Sequence, residues 1–306
     1  MIQVSHLSKS FAGINAVDDL SFEIKKGEVV GLLGPNGAGK STTMRMMTGF
    51  LMPDQGTVKI HSISVTDQPT EAQKRIGYLP ENNPLYKDML VGELLEFSAD
   101  IKNISKAERS ATFDFVVSSV NIGDVYYRNI QELSKGYKQR VGIAIALLHK
   151  PEILIMDEPT EGLDPNQRQE IRTLIKDLSK DHTIIVSTHV MQEVEAVCDR
   201  LLIISKGKLV ADGKPKQLTR RGGNLTEVAI EIEGKDIVKH LHSLKLIQDL
   251  TQVKTKDMRV SAVLLTKLSP AIQPELSKLA QKHSWIIWRI NEQQKHLEDV
   301  FQELTK

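Results

Sequence analysis

A single cysteine, Cys198, stands in the 306-residue chain, so no internal disulfide can form and the sequence suits a reducing compartment. It lies in "VMQEVEAVCDRLLII", where helical spacing predicts a buried structural thiol and not a reactive one. An excess of one charge is missing too. Forty Lys and Arg against 39 Asp and Glu leave a net +1, which removes any general electrostatic case for a polyanion, so nucleic acid is not an expected partner. The nine histidines include no HExxH pair and no Cys/His spacing. His240 and His242 stand two apart on a predicted helix and so do not share a face, and no transition metal is predicted. Long hydrophobic runs are absent as well. The amino terminus, "MIQVSHLSKSF", has no hydrophobic signal core. The most apolar helical stretch, "VGIAIALLH" between Arg140 and Lys150, offers less than half of the roughly 20 residues a membrane span needs.

What remains is an ordinary globular composition, 40% hydrophobic and 26% charged, in a chain longer than one typical domain. From Ile2 to about Leu33 the pattern alternates as strands do ("IQVSHL", "LSFEI"), ending in the nearly all-apolar "EVVGLL" of a strand buried on both faces. A helix is predicted from Lys40 through Met47, and "GTVKIHSISV" reads as strand. Between Pro84 and Lys150 the character becomes helical: "MLVGELLEFSADI", "KAERSATFDFVVSSV" and "YKQRVGIAIALLH", the last with Val141, Ala144, Ile145 and Leu148 at helical spacing. Strand and helix then alternate through "EILIMD", "DPNQRQEIRTLIKDLSK", "TIIVST", "VMQEVEAVC" and "RLLIIS", which argues for a parallel α/β sheet. Asp164 as N-cap, Pro165 at the first helical position and an apolar face at 171, 174, 175 and 178 define the middle helix. A polar, glycine-bearing "TRRGGN" marks a linker near 220–224. Beyond it a small α+β unit is expected, with strands "TEVAIEIEG", "MRVSAVLL" and "SWIIWRI" among helical segments.

The glycines cluster most tightly in "LLGPNGAGKSTT", and Gly34, Pro35, Asn36, Gly37, Ala38, Gly39, Lys40 and Ser41 match GxxxxGK[ST], the phosphate-binding loop. Without β-carbons, successive backbone N–H groups can converge on phosphate oxygens, and the following helix directs the positive end of its dipole there. Lys40 supplies charge for the β- and γ-phosphates, and Ser41 a hydroxyl ligand for Mg²⁺. Downstream, "ILIMDE" puts Asp157 and Glu158 at the carboxyl end of an apolar strand, where α/β sheets bind ligands. An aspartate there can hold Mg²⁺, and the next carboxylate can act as general base on water.

"LSKGYKQR" (133–140), just ahead of "ILIMDE", looks like the signature of ABC-type ATPases. With "GPNGAGKST", "EGLDP" and "STHV" in the same order, residues 2–220 resemble an ABC transporter ATP-binding subunit. The ending "KHLEDVFQELTK" is similar to bacterial exporter ATPases of the multidrug and gliding-motility-associated kind. The resemblance implies a P-loop NTPase (ABC ATPase) core over 1–220, with an N-terminal antiparallel β subdomain and a helical insertion at about 84–150. A C-terminal α+β domain follows over 225–306. It also implies ATP and Mg²⁺ as cofactors, with Gly34–Thr42 binding nucleotide, Phe11 stacking on adenine, and Ser41, Asp157 and Glu81 at the metal. Ser134 and Gly136 would reach the γ-phosphate bound to a second copy of the chain, and Asp164 would touch that copy. Lys40, Glu158 and His189 would carry the hydrolysis. The implied partners are that second copy, as an ATP-dependent homodimer, and an integral-membrane permease. The implied location is peripheral, on the cytoplasmic face of the inner membrane, with docking near "PLYKDMLVGELLEF", whose Leu85, Leu90, Leu94 and Leu95 cannot all share one helix face.

Three segments depart from the family pattern. Lys135 and Tyr137 replace a glycine and a glutamine of the signature, and Lys135 either points toward phosphate or stays solvated. Glu81, in "YLPEN", takes the place of a glutamine and adds negative charge beside Glu158. "EGLD" stands where serine-alanine is more common, a change expected to be tolerated. Two other readings stay open. One is an ABC-fold ATPase acting on nucleic acid, against which stand the single cassette and an interval from Lys40 to Ser134 too short for a long coiled coil. The other is a regulatory nucleotide-binding module without turnover, against which stand intact Lys40, Asp157, Glu158 and His189.

Overall fold

Alternating apolar residues make the first hairpin one-sided. In β1 (Ile2–Phe11), Ile2, Val4 and Leu7 are buried, and β2 (Ile14–Ile24) returns antiparallel with Val17, Leu20, Phe22 and Ile24 inward. The next strand, β3 (Val29–Leu33), is buried at all five positions, as a central parallel strand must be. It feeds α1 (Lys40–Met47), after which β4 (Gln55–Ile60) and β5 (Ile63–Ser64) complete an antiparallel sheet of order β2-β1-β4-β5. "GTVKIHSISV" is therefore two strands: the chain reverses at His61, whose φ of 53° is the left-handed conformation of a tight turn.

The computed structural model describes residues 2–218, 225–267, 271–293 and 297–305. Within these it divides into one unit reaching Pro215 and a second from Lys216 to Leu304. After α2 (Pro69–Gln73), the first unit adds β6 (Ile76–Leu79) and the helices α3 (Val91–Ile101), α4 (Lys106–Val120) and α5 (Lys135–Leu147). Then come β7 (Ile153–Asp157), α6 (Pro165–Leu178), β8 (Thr183–Thr188), α7 (Met191–Val197), β9 (Arg200–Ser205) and β10 (Lys208–Gly213), before a short α8 (Pro215–Leu218). The large sheet runs β10-β9-β3-β8-β7-β6 and is parallel except for the β9–β10 hairpin. This is the mixed α/β fold predicted. Its consequence for chemistry is that β3, β7 and β8 end side by side at one edge.

Met44, Met46 and Met47 of α1 join apolar side chains of both sheets in one core. The α6 face is as predicted, with Ile171, Leu174, Ile175 and Leu178 buried and Asp164 Oδ1 accepting from the backbone N–H groups of Asn166 and Gln167. In α5 burial extends beyond the predicted stripe to Ile143, Ala146 and Leu147, because the helix packs against α4, α6 and β6 at once. Cys198 is buried, and burial pushes its thiol up to about 12. Of the four leucines in 85–95, Leu94 and Leu95 are core, while Tyr86 and Phe97 form an exposed edge-to-face pair at 5.4 Å.

The second unit carries β11 (Leu225–Glu233), α9 (Ile237–His242), β12 (Ile247–Lys256), β13 (Arg259–Lys267), α10 (Gln273–His283), β14 (Ile286–Gln293) and α11 (Leu297–Thr305). Its antiparallel sheet, order β12-β13-β11-β14, packs on its own core around Ile230, Ile232, Leu241, Leu264 and Leu276. The predicted linker near 220–224 lies outside the described residues. Among the described residues no helix is long and apolar enough to cross a membrane.

Candidate functional site

The loop between β3 and α1 is glycine-rich for steric reasons visible at two positions. A Cβ on Gly34 would collide with the Ile204 carbonyl. Gly39 combines a φ of 105° with the Ala16 carbonyl where its Cβ would stand. Gly39 is also the N-cap of α1 and offers no side chain, so the first-turn N–H groups have no side-chain cap. Lys40 Nζ donates to the Gly34 carbonyl at 2.9 Å and lies 3.3 Å from Glu158 Oε1, with both side chains more than nine-tenths buried. Ser41 Oγ donates to Asp157 Oδ1 at 3.1 Å, tying the start of α1 to the end of β7.

A residue from β8 organises the two acids. Ser187, wholly buried, donates to Asp157 Oδ1 and accepts from the Glu158 backbone N–H at 2.9 Å. Glu158 sits at φ 48°, a left-handed conformation uncommon outside glycine, and this turns its carboxylate toward Lys40 and His189. His189 Nδ1–H donates to Glu158 Oε2 at 3.0 Å. The segment before His189 is fixed from below by Glu193, whose Oε2 accepts from Thr160 at 2.6 Å and Thr188 at 2.9 Å. Neither Ser187 nor Glu193 was singled out in the sequence. "STHV" carries the serine, but nothing in its spacing says which way the hydroxyl points.

These groups border a cleft of about 350 Å³ lined by residues 36–42 together with Ala16, Glu81, Glu158, Glu161 and His189. Glu81 is raised above the ordinary carboxylate range, first by burial, then by the charges of Asp157, Glu161 and Glu158. Glu161, from the "EGLD" departure, thus adds a carboxylate to the cleft. Asp157 is fully buried, and its Oδ2 has no hydrogen-bond partner. An unpartnered buried carboxylate oxygen beside a serine hydroxyl is a hard oxygen donor set that fits Mg²⁺.

Other expected site residues lie elsewhere. Phe11 is 47% exposed at the tip of the β1–β2 hairpin, under Lys9 Nζ at 5.7 Å, and does not line the cleft. Ser134 and Gly136 also lie off this cleft, at the start of α5, where Ser134 Oγ caps the helix by accepting from the Tyr137 N–H at 3.3 Å. Lys135 is exposed, as the solvated alternative expects, with its amine over Gly162, in the turn after Glu158. Tyr137 Oη donates to Asp124 Oδ2 at 2.6 Å.

A family model described as ABC transporter matches residues 17–161. The chain is 33% identical to the linearmycin resistance ATP-binding protein LnrL of Bacillus subtilis (strain 168), covering 100% of this chain and 98% of that protein. It is also 33% identical to the Nod factor export ATP-binding protein I of Paraburkholderia xenovorans (strain LB400), over 99% and 96%. Among solved structures, a dimeric ATP-binding cassette in a post-hydrolysis state with ADP and Pi is 26% identical, with a TM-score of 0.64 over 70% of this chain and 98% of that one.

Proposed function

The chain belongs to the ABC transporter ATP-binding family and is an ATPase, and from that premise we propose that it drives a separate membrane permease, as an exporter, by ATP-dependent pairing of two copies. The observation that carries this reading is the convergence of three strand ends on one cleft, which joins Lys40 and Ser41, Asp157 and Glu158, and His189 through direct hydrogen bonds and ion pairs.

In this reading the amides of the loop, with the N-terminus of α1, hold the phosphate chain, and Lys40 brings its charge to the β- and γ-phosphates. Glu158, fixed by Ser187 and Lys40, takes the proton of the attacking water. His189 steadies that carboxylate and feels the γ-phosphate. Ser41, Asp157 and Glu81 would hold Mg²⁺, which when bound neutralises phosphate charge. Ser134 and Gly136, which do not line the cleft of their own chain, would complete the cleft of the second copy. Phe11 would stack on the base where it leaves the cleft past Ala16. Names of relatives that mention resistance and export favour the exporter direction, and a peripheral place on the cytoplasmic face of the inner membrane is part of the same proposal. Domain roles follow: residues 1–220 bind nucleotide and 225–306 form an accessory domain.

Lys40→Ala tests the reading. Its circular dichroism should match the wild type, while phosphate release from ATP falls to background. Wild-type turnover in the variant would remove the nucleotide assignment from this cleft.

A further inference from the structure

Two charged departures from the family pattern, Lys135 and Glu161, meet at one turn. Glu161 follows Glu158 in a turn closed by its own backbone N–H, which donates to the Glu158 carbonyl at 3.1 Å. Its side chain is exposed at the rim of the phosphate cleft, near enough for its charge to act on Glu81. Gly162 comes next, at φ 66°, and Lys135 Nζ takes the place a Cβ on Gly162 would occupy. Consecutive Cα atoms stand about 3.8 Å apart, within the reach of a glutamate side chain. Rotation of the Glu161 side chain alone therefore carries its carboxylate from the cleft to the Lys135 ammonium.

Among the described residues neither side chain has an ion pair or a hydrogen bond. The other charges of this region have partners. Lys40 and His189 hold Glu158, Arg168 Nε donates to the Leu163 carbonyl at 2.8 Å, and Asp164 Oδ1 caps α6. Lys138, one turn along α5, donates to the Gln131 carbonyl at 3.2 Å, and Glu81 lies in the field of Arg45. Lys135 is the first residue of α5, where the helix dipole disfavours a cation and favours an anion. A carboxylate drawn to that end meets both the ammonium and the dipole. In the cleft the balance is reversed. Glu161 stands there with Glu81 and Glu158, and the phosphate chain of ATP, even with Mg²⁺ bound, adds negative charge beside them.

We infer that nucleotide expels the Glu161 carboxylate from the cleft rim and that it then pairs with Lys135, so that an occupied cleft ties the turn after Glu158 to the start of α5. Both are positioning residues, acting on the turn that carries Glu158 and not on phosphate. The inference rests on the reading that this cleft takes ATP, and adds how the chain registers its arrival. Both side chains are exposed, so the pair is worth about two- to five-fold in nucleotide affinity.

The test uses the full chain and a water-soluble carbodiimide, which joins an amine to a carboxylate as an amide and leaves as its urea. The reaction is run with Mg²⁺ and a non-hydrolysable ATP analogue, and again without nucleotide. The expected product is a Lys135–Glu161 link that forms with nucleotide and is lost without it. In a mixture of unlabelled and ¹⁵N-labelled chains, both linked peptides should carry the same label. Lys135→Met should weaken binding of the analogue about two- to five-fold, and Lys135→Arg should not. In a Glu161→Gln background the methionine substitution should change nothing. Lys135→Gln serves the same comparison if the methionine variant fails to fold. A lysine that merely packs over Gly162 would instead lower the nucleotide-free melting temperature and keep its effect in the Glu161→Gln background. That result overturns the inference, as does a link equally abundant in both conditions or no link at all. Links joining differently labelled chains overturn it by placing Lys135 against a second copy. Each of these leaves the ATP reading standing, because binding of the analogue to the wild type is measured in the same samples. A wild-type chain that binds no analogue removes both readings.

Discussion

Replacing Ser187 by alanine removes one buried hydroxyl that serves both acids of the cleft. Asp157 Oδ1 loses a charge-assisted donor and keeps Ser41, while Oδ2 has no partner to begin with. The Glu158 N–H, which among the described residues pairs only with Ser187, is left without an acceptor. A hydrogen bond to a charged group is worth about 1.5–3 kcal/mol, and an unsatisfied buried donor costs about 1–3 kcal/mol. The two share one site and do not add fully, so about 3 kcal/mol is expected. For a unit of this size that lowers the melting temperature by roughly 6–12 °C. Because the lost bond also holds Glu158 at its left-handed φ, kcat should fall more than nucleotide affinity does. Scanning calorimetry of the full chain, alongside nucleotide titration and phosphate release, reads all three quantities. A melting temperature within a degree of wild type, with unchanged kcat, would refute the role given to Ser187.

Glu81→Gln removes a carboxyl raised above its usual range. The folded chain holds that proton where the unfolded chain has released it, so the associated stability is full below the ordinary carboxylate range and is lost as pH rises through the raised value. The variant should therefore melt higher than wild type at neutral pH, with the difference closing near about pH 4. Its Mg²⁺ titration of hydrolysis should shift while nucleotide affinity holds, and superimposable metal titrations would place the side chain outside the metal's reach. His149 Nε2 donates to the Ile76 carbonyl, and its Nδ1 accepts from Lys102. Pushed down to about 4, first by burial and then by the charge of Lys102, it contributes stability that is full above about pH 6.5 and is lost as pH falls toward 4. Ring resonances that titrate near 6.5 in the folded protein would contradict its buried acceptor role.

What could be read from the sequence depended on whether function constrained residue type or only residue orientation. The phosphate loop was legible because close backbone approach and φ above zero both demand glycine, so Gly34 and Gly39 mark their own geometry. Asp157 and Glu158 were legible because acids at the end of a run like "ILIM" interrupt a strand buried at every position. Ser187 and Glu193 were not, since a serine in a strand and a glutamate in a helix are common, and only the fold aims them at one carboxylate and two threonines. Strand β12 escaped notice because it is an exposed edge with almost no apolar alternation, and β6 because four residues give too short a period. Lys135 shows a different limit. Its position on α5 was evident, but the turn at Gly162 that receives its amine belongs to another element. The same limit applies to Lys102 and His149, 47 residues apart in sequence and joined only once α3 packs beside α5.

The central claim is that Glu158 is the base whose action ends an ATP-dependent pairing of two chains. In Glu158→Gln the shape is kept and the base is lost, so hydrolysis should fall by about 10² to 10⁴ and the paired state should persist. Light scattering of that variant is the direct measurement. With Mg²⁺ and ATP its mass should be twice the 34.3 kDa of one chain, and without nucleotide it should return to one chain. The same mass in both conditions would contradict the account.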